Sequence, residues 1–306
     1  MDKIAFLFSG QGSQYSGMGK SLCEASPAAA AVFALADSIR PGTSSQCFEG
    51  TAEELAVTIN TQPCLYCVDL AGAEALREAG VFPDAVAGFS LGEVAALTFS
   101  GAFSPKDGFS LVMKRAELMN AASEASQSGM VALLKLTPEK AAEVCREVGD
   151  SYPINFNCPG QTVAATLRAK KEALAAAAKA AGGQNICHLC GWAGDHSPFM
   201  QSAADGLREV LQSLPMSAPA IPVYANATAS PYEGADREMP ARQLVSPVYW
   251  QKTLERLWAD GFTAFVEVGA GKTLSGFVKK TLPEAFIANV EDAQSLQKTI
   301  EAIKGA

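Results

Sequence analysis

The sequence predicts an α/β protein: a parallel sheet with helices on its faces, into which a smaller β-rich unit is inserted. Three observations carry this. An apolar run over 4–8, preceded by a single lysine, leads into the glycine-rich loop Gly10-Gln11-Gly12-Ser13-Gln14. A serine stands between glycines in Gly88-Phe89-Ser90-Leu91-Gly92, after one apolar run and before a helical one. Residues 126–193 alternate strand and helix patterns in the order βαββαβ.

Residues 3–8 read as a central strand, because the run is apolar without the alternation of a half-exposed one. Helical spacing of apolar residues fills 25–39, 52–60 and 63–79. Asp84-Ala85-Val86-Ala87 is short and apolar, like a buried strand, and Glu93-Val94-Ala95-Ala96-Leu97 begins a helix. Another helix is expected over 107–122. Then come a strand at 130–136, a helix at 138–148, strands at 154–157 and 162–166 around Cys158-Pro159-Gly160-Gln161, an alanine-rich helix at 170–181 and a strand at 186–190. That order is ferredoxin-like. A helical stretch over 200–214 returns the chain to the large unit, so the expected division is 1–125 with 194–306, and 126–193.

The glycines at 88 and 92 remove side chains that would clash in a strained strand-to-helix turn. The helix start turns unpaired N–H groups and a partial positive charge toward the serine oxygen. Ser90 is therefore the expected nucleophile for covalent acyl chemistry; the plainer alternative is a serine that only caps a helix. A hydroxyl needs a base to take its proton. Of the two histidines, His188 lies in an apolar, strand-like run, whereas His196 lies in the turn-rich Ala193-Gly194-Asp195-His196-Ser197-Pro198. His196 is the expected base, and serine before histidine is the α/β-hydrolase order. Asp195 is its immediate neighbour and is not expected to orient it. A backbone carbonyl can hold Nδ1–H instead, which makes a Ser–His dyad the economical reading.

Arg115 falls on the apolar stripe of Leu111, Leu118 and Met119, while Lys114 lines up with Ser110 and Glu117. An inward guanidinium needs an anion, either a protein carboxylate or an acidic substrate.

Composition narrows the function classes. A net charge of −8 argues against nucleic acid and anionic membrane surfaces as main partners. The apolar run near the start is too short for a signal segment and no stretch is long enough to span a bilayer, so a cytoplasmic location is expected. The eight cysteines are expected to be free thiols. Cys64 and Cys67 lie in a helical pattern, and Cys187 and Cys190 would point to opposite faces of a strand, so no metal site is expected. Neither phosphate-binding motif is complete: Tyr15 stands where a dinucleotide fingerprint needs its third glycine, and Val266 where a P-loop needs its first.

Seven blocks, in order, resemble one family: Phe8 to Gln14, Gly88 to Glu93, Lys114-Arg115, Asn155 to Gln161, His196-Ser197, Ser246-Pro247-Val248-Tyr249-Trp250, and Glu267 to Lys272. The sequence is similar from end to end to the malonyl-CoA:acyl carrier protein transacylases of bacterial fatty acid synthesis. The resemblance implies an α/β-hydrolase-like core with a ferredoxin-like subdomain, and ping-pong transfer of malonyl from coenzyme A to a carrier's phosphopantetheine thiol. It implies Ser90 as nucleophile, His196 as base, the Gln11 and Leu91 N–H groups as oxyanion hole, and the Ser246 carbonyl as the group that orients His196. Arg115 would receive the malonyl carboxylate, and Gln62, Phe89 and Asn157 would shape the acyl pocket. No cofactor is expected to be held permanently. Malonyl-CoA and acyl carrier protein are the expected partners of a monomer, with Arg168, Lys170, Lys171, Lys279 and Lys280 as basic residues for docking an acidic carrier.

Three positions depart from the family pattern: Phe89 where histidine is usual, Ser9 where proline is usual, and Asp195 where the residue is usually uncharged. Asp195 is expected to point away from the substrate. The competing functions are a serine esterase or thioesterase on the same nucleophile, and an acyltransferase subunit of a polyketide pathway.

Overall fold

The computed structural model of the chain describes residues 3–189 and 194–305. Its strands are β1 (Lys3–Phe8), β2 (Ala85–Gly88), β3 (Ser128–Leu134), β4 (Ser151–Cys158), β5 (Gln161–Leu167), β6 (Gln184–Leu189), β7 (Val223–Ala225), β8 (Ser230–Pro231), β9 (Phe262–Val268) and β10 (Phe286–Val290). Six of them form one sheet in the order β10-β9-β1-β2-β7-β8, parallel except at the β7–β8 edge. The other four form a separate antiparallel sheet in the order β4-β5-β3-β6.

β1 is central, and every residue after Lys3 is buried because helices cover both faces. Ile4, Phe6 and Phe8 point into the larger core, against helices Thr58–Glu78, Leu91–Phe99 and Pro105–Ser126. Ala5 and Leu7 point to the other side, where Trp250, Leu254, Phe265 and Phe277 fill a second core. In the antiparallel sheet, Val131 and Leu133 pack on helices Pro138–Val148 and Lys171–Ala180, while Met130, Ala132, Ile154 and Val163 form the opposite face. Backbone bonds stitch the sheets together: the Phe156 N–H donates to the Val248 carbonyl at 2.9 Å, and the Val248 N–H to that of Ile154 at 2.7 Å. This seam holds β4 over the large sheet.

The helix expected over 25–39 is Pro27–Ile39, capped by the Ser26 side chain where that residue turns extended after a separate short helix, Lys20–Ala25; one helix boundary is corrected. The break expected near Pro63 falls instead at Val57, and Thr58–Glu78 runs through Pro63. Cys190, the last residue of the strand expected over 186–190, lies outside the described residues, as does the side chain of His188.

Candidate active site

Ser90 occupies the bend between β2 and helix Leu91–Phe99 with φ 54 and ψ −103, a conformation that non-glycine residues rarely hold. The bend is possible because both flanking glycines lack a side chain. A Cβ on Gly88 would sit 1.9 Å from the Gly92 carbonyl carbon, and one on Gly92 would sit 2.3 Å from the Phe8 carbonyl oxygen. Asn226 splints the bend from β7's end: its Oδ1 accepts the Ser90 N–H at 2.7 Å and its Nδ2 donates to the Gly88 carbonyl at 2.7 Å. Buried Glu93 accepts the Asn226 N–H and the Tyr232 hydroxyl in turn.

His196 Nε2 lies 2.7 Å from Ser90 Oγ. Its Nδ1 lies 2.9 Å from the Gln243 carbonyl, which leaves Nε2 as the acceptor for the serine hydroxyl. The expectation for Ser246 is thus corrected. Gln243, at the end of the short helix Met239–Gln243, supplies the hydrogen bond, and the Ser246 carbonyl three residues on adds a weaker pull on the ring. Burial, and next the charge of Arg115, push His196 down to about 4, against both carbonyls. The imidazole is therefore neutral near pH 7 and able to take a proton.

Arg115 is 1 % exposed, yet no carboxylate among the described residues forms an ion pair with it. Its guanidinium donates to Gln62 Oε1 at 2.6 Å, to Gln243 Oε1 at 3.0 Å and to Ser90 Oγ at 3.0 Å, and its Nε has no partner. All three acceptors are neutral. Burial lowers Arg115 to about 10, so it stays cationic. Asp195 does not stand clear of the site as expected: it is half-buried, and its charge acts on Arg115 more strongly than that of Glu93. Its own carboxyl is pushed up to about 6 by burial, with Arg115 pulling the other way.

The loop that carries Gln11 lies against the bend that carries Leu91: a Cβ on Gly92 would meet the Ser9 carbonyl oxygen at 2.4 Å. The Gly10 backbone packs against Phe89, where an added Cβ would meet the Phe89 carbonyl at 2.6 Å. Neither the Gln11 nor the Leu91 N–H has an acceptor among the described residues. Beside them opens a cavity of about 270 Å³ lined by Gln11, Phe89, Asn155, Asn157 and Phe277. Phe89 meets Trp250 edge-on and Phe277 at a tilt, and the Oδ1 atoms of Asn155 and Asn157 are buried without partners. Gln62 is not on that wall; it is fully buried between Arg115 and Met119. Of the expected docking residues, Arg168 and Lys170 are spent internally, on the Ser128 carbonyl and on Asp150 at 2.7 Å. Lys280 instead lines a second cavity with Lys135 and Gln161.

A family model described as the acyl transferase domain matches residues 5–304. The chain belongs to that family. It is 40 % identical, over 311 aligned positions covering 99 % of this chain and 98 % of the other, to the malonyl CoA-acyl carrier protein transacylase of Bacillus subtilis (strain 168). It is 32 % identical to the transacylase of the same name from Escherichia coli (strain K12), over 98 % and 100 % of the two chains. Among solved structures, the malonyl CoA-acyl carrier protein transacylase of Clostridium perfringens superposes with a TM-score of 0.95 at 33 % identity, covering 99 % and 98 %. A malonyl-transacylase in complex with a type II polyketide acyl-carrier protein superposes at 0.94, also at 33 % identity, covering 98 % and 99 %. The chain is thus an acyltransferase of mixed α/β architecture.

Proposed function

We propose that this acyltransferase moves a malonyl group from coenzyme A to the phosphopantetheine thiol of an acyl carrier protein through an ester on Ser90. The carrying observation is Arg115, a buried guanidinium that touches the nucleophile and has only neutral oxygens for partners. A cation so placed is matched by the free carboxylate of the acyl group.

In the first half-reaction His196 Nε2 takes the proton of Ser90 Oγ as it attacks the thioester carbonyl. The resulting oxyanion is met by the Gln11 and Leu91 N–H groups, which have no other acceptor. The C–S bond then breaks, and His196 returns the proton to the departing thiolate. In the second half the carrier thiol gives its proton to His196 and attacks the ester, and Ser90 recovers the proton as it leaves. Malonyl binding also helps the base. Its carboxylate neutralises the Arg115 charge that depresses His196, so an uncharged acyl group would meet a weaker base.

The unpartnered Oδ1 atoms of Asn155 and Asn157 suit the amide N–H groups of a pantetheine arm lying in the 270 Å³ cavity. Lys135 and Lys280 at the neighbouring cavity suit an acidic carrier or its phosphate. The remaining readings are a hydrolase-like large unit formed by 1–125 and 194–306 and a ferredoxin-like small unit formed by 126–193. The chain would act as a monomer in the cytoplasm, with no permanently held cofactor.

The test is mass spectrometry of the intact protein. With malonyl-CoA alone, Ser90 should gain a malonyl group that persists and then moves to added carrier. Free malonate released without carrier, with no adduct, would favour the hydrolase.

A further inference from the structure

Asp69 is a carboxyl group with no part in the chemistry above. It is fully buried on helix Thr58–Glu78, and its only hydrogen bond from a side chain among the described residues is the one the Ser9 hydroxyl donates to Oδ1 at 2.6 Å. Oδ2 has no partner. Burying an acid on so few contacts costs free energy.

The surrounding backbone is shaped to admit this pair. A Cβ on Gly269 would lie 1.8 Å from Asp69 Oδ1 and 2.6 Å from Ser9 Oγ. Ser9 follows β1, and its N–H donates to the Val268 carbonyl at 3.1 Å. After it, the chain enters Gly10, Gln11 and Gly12, whose own ties are sparse. Ser13 Oγ donates to the Gly10 carbonyl at 2.7 Å and lies 3.4 Å from Ser9 Oγ, and Gln11 Nε2 donates to Thr58 Oγ1 at 3.2 Å. Thr58, Gln62 and Asp69 fall on one stripe of the same helix. That stripe therefore grips the loop at Gln11 and at Ser9, and grips Arg115 through Gln62.

We propose that Asp69 is a positioning residue which, through the Ser9 hydroxyl, holds the Gly10-Gln11-Gly12 loop where the Gln11 N–H meets the oxygen that becomes charged. This rests on the oxyanion role given to Gln11 above. Burial raises the carboxyl of Asp69 well above the usual carboxylate range, which favours its neutral form, and the hold itself is one hydroxyl donated to one oxygen. A neutral amide of the same shape should then serve in its place.

The experiment measures the single-turnover rate of Ser90 acylation by malonyl-CoA in the full-length protein, together with malonyl-CoA affinity in a Ser90→Ala background. Asp69→Leu and Ser9→Ala should each slow acylation about tenfold to a hundredfold, since small displacements of a catalytic donor cost that much. Affinity should stay within about twofold, because the loop acts on the transition state. Asp69→Asn should keep most of the rate, and Ser9→Ala with Asp69→Leu should be no slower than the slower single variant. If Asp69→Leu fails to fold, Ser9→Ala and Asp69→Asn carry the test. Gln11→Pro, which removes the N–H itself, separates the two ideas. Unchanged acylation in Gln11→Pro overturns the oxyanion reading. Slowed acylation in Gln11→Pro with unchanged rates in Ser9→Ala and Asp69→Leu overturns the role of Asp69.

Discussion

His196 is kept neutral by its surroundings, and that sets the pH behaviour. Its depression to about 4 means that the acid limb of kcat/KM should fall far below the ordinary histidine range. Asp195 should add a second feature. Below about 6 it is protonated; as pH rises through 6 it ionises and competes with the malonyl carboxylate for Arg115. KM for malonyl-CoA should therefore rise about threefold to tenfold across that range. Asp195→Asn should flatten the rise, and KM curves that coincide for the two proteins would refute the competition. Ser90, His196 and Arg115 were legible in the sequence because each carries a pattern: glycines at fixed offsets, a turn around a scarce histidine, a charge on an apolar stripe. Gln243 and Asn226 were not. Gln243 meets Ser90, His196 and Arg115, and Asn226 splints the bend, yet an amide that works across 153 or 136 positions leaves no local trace.

At the scale of elements, the nucleophile's bend is the part where sequence and structure agree most closely. The glycines that identify it are those the close approach requires. Gly92→Ala should push against the Phe8 and Ser9 carbonyls and destabilise the protein by about 3 kcal/mol or more. Thermal unfolding would check this, and an unchanged Tm would show that the bend has slack. Helix ends were less legible. Pro63 suggested a break, but the break falls at Val57, where a capping box on Ala52–Ala56 has already closed a short helix and Val57 turns extended. Three-residue spacing cannot tell one bent helix from two abutting ones. The strand order of the small sheet, β4-β5-β3-β6, likewise depends on pairings far apart in sequence that periodicity does not encode.

At the scale of the molecule, the parallel sheet supplies the bend and the loop after β1, while the second sheet hangs β4 over them through the Val248 seam. The histidine returns from beyond the small sheet to meet the serine at 2.7 Å. The arginine arrives from a helix that precedes that sheet. Three separated segments thus converge on one cleft, where a buried guanidinium whose hydrogen-bond acceptors are all neutral touches Ser90 Oγ. On the proposed pairing of Arg115 with the malonyl carboxylate, selection of a carboxylate-bearing acyl group follows from that convergence. The most direct test compares kcat/KM for malonyl-CoA and acetyl-CoA in the wild type and in Arg115→Ala. The ratio should fall by about a hundredfold to a thousandfold, through a loss for malonyl and a relative gain for acetyl. A ratio that stays the same in a folded, Ser90-acylating variant would contradict it.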